Sequence, residues 1–462
     1  MTALPLNDRT LAERGGPARP DRVRLVHLGL GNFHRAHQAW YTAHSADAAD
    51  WGIAAFTGRS PLQAELLRAQ GGLYCLVVRG EDADRVEVVP SILEAHDASR
   101  IDRLVELLAD PAVAVVTLTL TEAGYRLTAA GDLDPADAVT RDDIAELTRV
   151  FTGGRLQDAA PRAALARLLV GLEARRRTGG APLAIVPCDN IPDNGAYLSR
   201  GLRALAAPVS DELEAWIGSS VSFVGTSVDR ITPRIDGDVD AVRDAGWTDA
   251  SPVVTEPFAD WVLSGAFPAG RPAWETAGAR FVDDLEPWEN RKLWLLNGAH
   301  SILAFAGLVR GHDTVSAAIA DPECRALVED FWREAVQLLP EEIEHVDYRR
   351  ALLDRFANPR IVHRLAQIAG DATTKVRYRF AAVAERTLAR GGEPTGSAGA
   401  IAAWIEAVRL GVVPADGFAD DMAQALSAPA SFHPLIDLIS PRLATDDAFL
   451  ELVTAASHPI TA

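Results

Sequence analysis

Lysine is almost absent from this chain of 462 residues: of 45 Lys and Arg residues, only Lys292 and Lys375 are lysines. Codon preference accounts for the bias as a whole, but not for which two positions escape it. Arginine holds its proton up to a pKa above ~12, whereas a buried lysine can be tuned down to ~7–8 and act as a base. Lys292 lies in the stretch ENRKLWLLNGAHS. On an α-helix turning about 100° per residue, with Lys292 at the origin, Glu289 falls at about 60°, His300 at about 80° and Asn297 at about 140°. Four polar groups thus share one broad face of a segment that is otherwise apolar. Two readings follow. One is a core helix with a polar seam; the other is a base, Lys292, with two neutral donors, Asn297 and His300, converging on a substrate oxygen. A buried polar face needs partners, and the second reading supplies them.

Such a base needs a framework around it. Toward the N-terminus, a β-type run at 23–28 ends at Gly29-Leu30-Gly31, and a helical pattern follows, crowded at its start by Phe33, His34, Arg35 and His37. A Gly-x-Gly turn between strand and helix brings backbone N–H groups up to a dinucleotide pyrophosphate. The third glycine of that fingerprint is missing; His34 stands there. A second strand, 51–56, ends in Thr57-Gly58-Arg59, where NAD-preferring units carry an acidic residue. Arg59 opens the option of a 2′-phosphate and hence NADP, though it could equally stack on adenine or face water. Further strands are expected at 113–120, 183–186 and 221–224, with helices between them such as 162–177. Alternation of this kind predicts a mostly parallel sheet whose ligands lie beyond the C-terminal strand ends. Asn190, Asn194 and Asp229 fall at those ends, in PCDNIPDNG and TSVDRITPR, although Asn and Asp suit such turns anyway.

From about residue 283 the pattern becomes almost wholly helical. Lys375 sits there amid Arg360, Arg364, Arg377 and Arg379, either an ion-paired face or a wall receiving a polyhydroxylated or anionic substrate. Residues 1–20 read as a loosely tied arm. Hydrophobic content of 48% is ample for two cores, and the net charge of −19 argues against nucleic acid or an anionic membrane as partner. Cys75, Cys188 and Cys324 are too few and scattered for a disulfide framework or a structural zinc site, and no metal is expected. With no apolar leader and no run of 18 apolar residues, a cytoplasmic protein is expected.

Six stretches in order, HLGLGNFHRAHQAWY, TLTLTEAGYRL, PCDNIPDNG, VDRITPR, RPAWE and KLWLLNGAHS, resemble the polyol-specific long-chain dehydrogenases, the mannitol 2-dehydrogenase and fructuronate reductase family. The resemblance implies an α/β Rossmann-type N-terminal domain at 1–285 that binds NAD or NADP. It implies a mostly α-helical C-terminal domain at 286–462, with the active site between them. Within it, Lys292 would be the general base of a zinc-independent dehydrogenase, Asn297 and His300 would hold the developing alkoxide, and Glu289 would gate the proton route. Asn190, Asp229 and Lys375 match positions that bind substrate hydroxyls; Gly29, Gly31, Asn32, Phe33 and Arg59 are the cofactor candidates. The expected partner is a small polyol or sugar acid, and the expected state a monomer or small homo-oligomer. D-mannitol and D-fructose form the lead pair, with D-arabinitol and the D-mannonate/D-fructuronate pair behind them. Gln367, in a Q-I-A run typical of fructuronate reductases, departs from the mannitol pattern. A catalytically silent dinucleotide sensor is the rival from another class, disfavoured by the retention of Lys292, Asn297 and His300.

Overall fold

The computed structural model describes residues 3–233, 239–427 and 432–457. The chain divides into two compact units, Met1–Leu285 and Glu286–Ala462.

Six strands form the central sheet of the first unit: β1 (Val23–Leu28), β2 (Gly52–Phe56), β3 (Ile92–His96), β4 (Val115–Leu118), β5 (Leu183–Pro187) and β6 (Val221–Phe223). They lie in the order β3-β2-β1-β4-β5-β6, every pair parallel. Residues of β2, β4 and β5 are buried throughout, as a sheet covered on both faces requires. This is the doubly wound Rossmann order, whose ligand crevice opens where the order reverses, beside β1 and β4. The short helix α1 (Asn32–Ala36) follows β1 and gives way at His37 (φ −120°, ψ −92°) to α2 (Gln38–Ala43). Farther along, α3 (Ala164–Arg177) packs against the helix Ile101–Ala109, and α4 (Asn194–Ala206) follows β5.

Two smaller three-stranded sheets accompany the main one, and alternation alone did not indicate them. One joins Tyr74–Arg79 to Asp84–Val89 and Val253–Thr255. The other sets β7 (Gly225–Asp229) antiparallel to β8 (Asp260–Ser264), with Arg280–Phe281 beyond. The expected loose arm is also docked. Leu4–Pro5 pairs with Trp247–Thr248, and Asn7 and Thr10 form a reciprocal cap on the helix Asp8–Glu13. Leu6 and Leu11 are buried with Cys75, Val77 and Trp247, so apolar burial outweighs the disorder suggested by the Gly-Pro-rich end of the segment.

In the second unit one helical rod, Glu286–Val309, runs through the core. Its middle is not α-helical. α5 (Glu286–Arg291) leads into a π-helical segment, Lys292–Gly298, before α6 (Ala299–Val309) resumes. By length and composition this rod is apolar enough to cross a membrane, but 72% of its most apolar window is buried inside the protein, as in a core helix. α7 (Pro322–Ala335) packs on both the π segment and α6, and α8 (Thr395–Arg409) packs on α6 and α7. A second π segment, Arg377–Ala381, packs against the first.

Candidate functional site

In the first unit the glycine turn is fixed by its neighbours. Gly29 and Leu30 both donate from N–H to the Phe56 carbonyl at 2.9 Å, and the Thr119 hydroxyl donates to the Gly29 carbonyl at 2.8 Å. Gly29 has φ +112°, and a Cβ there would meet the Thr119 carbonyl oxygen at 2.2 Å, so a side chain is excluded on both counts. Gly31 caps α1 with only its own turn near it, leaving room for a ligand to approach the backbone. Asn32 is occupied: its side-chain carbonyl accepts from Arg35, whose buried guanidinium also donates to Ser251 and Gln63. Phe33 stacks on His37. His34 fills the place of the missing glycine as a core residue, stacked on His27 with ring centroids 3.4 Å apart. Burial pushes both imidazoles down, His27 to about 3, so both are neutral.

Beyond the ends of β2, β3 and β4 lies a cavity of about 620 Å³. Gly58 and Arg59, Asp97 and Ser99, Gly124, and Arg167 of α3 line it. A smaller recess lined by Gly29, Thr57, Gly58 and Arg167 shares part of its wall. Arg59 was singled out from the sequence; Arg167 was not, because one arginine at the start of an amphipathic helix is indistinguishable from the many others.

Two polar residues after β5 have different fates. Asn194 is buried and holds α4 to β7: its carbonyl accepts from Thr226 N–H at 2.9 Å, and its amide donates to the Thr226 carbonyl at 3.0 Å. It is a strut, which corrects its reading as a cleft residue. Asn190 is exposed. Asp229, buried at the end of β7, stands in register with Asp260, whose carboxylate accepts from Arg280. Arg234, in the VDRITPR stretch, lies outside the described residues.

In the second unit the π segment alters the predicted face. Hydrogen bonding from i to i+5 widens the turn, so residues five apart lie closer in azimuth than the ~140° of an α-helix. Lys292 and Asn297 are such a pair, both half-buried. Groups remote in sequence support this geometry. The Trp332 indole donates to the Leu295 carbonyl at 2.7 Å, and Arg379 donates to the Asn297 carbonyl at 2.8 Å and the Ser301 hydroxyl at 2.7 Å. Gly298 lies against Phe331, whose ring a Cβ would meet at 2.7 Å. One turn on, His300 is buried, tilted against Phe356 and edge-on to His363. Burial first, then His363, Arg355 and Arg379, holds its pKa well below the usual range, so it is a neutral imidazole.

The basic cluster does not act as one wall. Lys375 donates from Nζ to the Ile368 carbonyl at 2.9 Å and to the Gly370 carbonyl. Arg377 donates to the Leu438 carbonyl at 2.6 Å and lies over the Phe418 ring. Arg379 ties the two π segments together, and its burial brings its pKa down to about 10. Separately, folding gathers His312, Asp321 and Cys324 with ligand atoms within 4.8 Å of one another, which their sequence spacing did not suggest. The Asp321 carboxylate is already bonded to His312, Arg310 and the N–H of Glu323, and burial pushes the Cys324 thiol up to about 11. That arrangement is an ion-paired helix cap.

Comparison with known proteins places these features in a family. The model of the mannitol dehydrogenase Rossmann domain matches residues 23–276, and that of the mannitol dehydrogenase C-terminal domain matches 284–427. D-arabinitol 4-dehydrogenase of Ralstonia nicotianae is 36% identical over 388 residues, 81% of this chain and 80% of the relative. D-mannonate oxidoreductase of Escherichia coli is 33% identical over 395 residues, 83% of this chain and 79% of the relative. Among solved structures, the ternary complex of Pseudomonas fluorescens mannitol 2-dehydrogenase with NAD and D-mannitol aligns with a TM-score of 0.77 at 30% identity, covering 98% of this chain and 96% of that one.

Proposed function

The chain belongs to the mannitol dehydrogenase family and is an NAD(P)-dependent oxidoreductase, and from that premise we propose that it interconverts D-mannitol and D-fructose with Lys292 as general base. In this reading the first unit holds the dinucleotide and the second supplies the base. The first unit fits that role: Gly29 excludes a side chain, Gly31 leaves α1 open to approach, and the strand-end cavity is of ligand size. Bound there, NAD(P) supplies the acceptor for the hydride leaving the carbinol carbon.

The chain's own residues handle the proton. Lys292 Nζ, in its neutral form, takes the hydroxyl proton, and Glu289, three residues earlier on the same rod, passes it to solvent. Asn297 and His300 donate hydrogen bonds to the oxygen as it becomes an alkoxide, so their contribution grows in the transition state. His300 suits this because burial keeps it neutral, with one ring N–H to donate. Asn190, Asp229 and Lys375 receive the remaining hydroxyls; Lys375 has one N–H left after its two carbonyl bonds.

One observation carries the choice of a neutral polyol. A uronate or aldonate needs a dedicated cation; Arg377 and Arg379 are anchored to the fold through Leu438, Asn297 and Ser301, and Lys375 has a single N–H left, enough for a hydroxyl. D-arabinitol shares this neutrality. The second reading, D-mannonate and D-fructuronate, draws on the Gln367-Ile368-Ala369 run and on the similarity to D-mannonate oxidoreductase. A screen at 340 nm separates them: mannitol, arabinitol, sorbitol and mannonate with NAD and NADP, then fructose and fructuronate with the reduced cofactors. Turnover of mannitol and fructose is the expected result; turnover confined to mannonate and fructuronate would reverse the assignment.

A further inference from the structure

The adenosine end of the dinucleotide is read by the loop after β2, and three observations there point the same way. First, the loop Thr57-Gly58-Arg59 has no carboxylate to accept a ribose 2′-hydroxyl, and Arg59 projects at the rim of the 620 Å³ cavity. Second, Arg167 reaches this loop from α3. Its Nη1 donates to the Gly58 carbonyl at 3.4 Å, its Nη2 to the Arg162 carbonyl at 2.5 Å and its Nε to the Pro161 carbonyl at 3.3 Å. Carbonyls orient this guanidinium without neutralising it, and two of its five N–H groups remain. Third, the charge around the cavity is unbalanced. Arg126 is paired with Asp137 and Arg162 lies 3.8 Å from Asp142, but neither Arg59 nor Arg167 forms an ion pair among the described residues, although Asp143 and Asp97 act on Arg167 through space. The acid in the wall, Asp97 at the end of β3, accepts from the N–H and hydroxyl of its neighbour Ser99.

Resting on the dehydrogenase reading above, we infer that this cavity binds the 2′-phosphate of NADP between Arg59 and Arg167, and that the enzyme prefers NADP(H) to NAD(H). A planar guanidinium held by carbonyls loses little freedom on meeting a phosphate, and the contact is charge-assisted. Partial burial strengthens that contact, and it also lowers the Arg167 pKa. Arg59, exposed and uncommitted, closes over the anion from the other side. Asp97 is the competing group: were it to accept the ribose 2′-hydroxyl, the cavity would favour NAD instead.

Titration calorimetry of the whole protein tests this without turnover. The probes are NADP, NAD, adenosine 2′,5′-bisphosphate and adenosine 5′-monophosphate. NADP should bind at least about ten-fold more tightly than NAD, and the 2′,5′-bisphosphate should exceed the 5′-monophosphate similarly. Arg59→Gln and Arg167→Gln should each cut the NADP-to-NAD affinity ratio by about ten-fold, with Arg167→Lys recovering part of it. Arg59 is exposed and makes no hydrogen bond or ion pair among the described residues, so its variant should fold as the parent does. Raising salt from 50 to 300 mM should weaken NADP more than NAD. Equal or tighter binding of NAD, or a loss of NAD affinity in Asp97→Asn with the ratio unmoved by Arg59→Gln, overturns the inference and leaves the dehydrogenase reading standing. Binding of neither nucleotide defeats both.

Discussion

The two units use the same residue type in opposite ways. At the cavity of the first unit, Arg59 and Arg167 line an open space whose wall carries four arginines and one acid, Asp97. Around the lysine rod of the second, Arg377 and Arg379 are spent on carbonyls of the fold. In sequence all four are arginines in mixed polar stretches. All but Arg59 donate to backbone carbonyls; what separates them is whether the guanidinium lies at the wall of an open cavity, as Arg59 and Arg167 do, or is packed between elements of the fold. The first arrangement leaves charge available to a ligand; the second converts charge into support for an unusual helix. Lys292 lies on the supported side, where the proposed chemistry calls for a removable proton rather than a fixed charge.

The largest effect should come from Lys292→Arg. The charge is kept and the base lost, so polyol oxidation should fall by about 10²–10⁴-fold in kcat. Wild-type turnover in this variant would make the lysine rod purely structural and erase the distinction between the units.

Arg379→Met sharpens the contrast by removing a support. Two charge-assisted hydrogen bonds, to Asn297 and Ser301, are lost, and thermal unfolding should report about 3 kcal/mol of destabilisation. Arg59→Met in the first unit should stay within about 0.5 kcal/mol of the parent, as an exposed side chain should. Equal stability losses in the two variants would contradict the division of labour.

Acid should act on both units alike, and more gently. His27, His34, His300 and His363 all have pKa values lowered by burial. The unfolded chain takes up protons below about pH 6.5 that the folded chain refuses. Stability therefore holds above that pH and falls as pH drops, continuing toward about pH 3 for His27. Each such histidine adds a slope approaching ~1.4 kcal/mol per pH unit. His34→Leu should flatten the decline between pH 6.5 and 5 in denaturant titrations; an unchanged slope would mean that His34 is protonated in the folded protein.

The local signals were legible where backbone chemistry is local. The run 23–28 followed by Gly29-Leu30-Gly31 became β1 and its turn, and apolar runs became the buried strands β2, β4 and β5, because a parallel sheet covered on both faces tolerates little else. The apolar stretch beyond Asn297 became α6, a helix buried almost all round. Hydrophobic pattern and turn residues thus determined the Rossmann-type unit, the helical unit and the helix that carries Lys292.

Tertiary structure alone decided the rest. Nothing near Lys292 in sequence calls for a π-helix; Trp332 and Arg379, which donate to its carbonyls, and Phe331, which fits against Gly298, are 33 or more residues away. Likewise Asn194 and Asn190 read alike as turn residues, and only the approach of Thr226 on β7 made one of them a buried strut. Periodicity registers which face of an element is apolar. The fate of a polar group depends on which distant donor, acceptor or cavity arrives beside it, and that is a property of the folded chain.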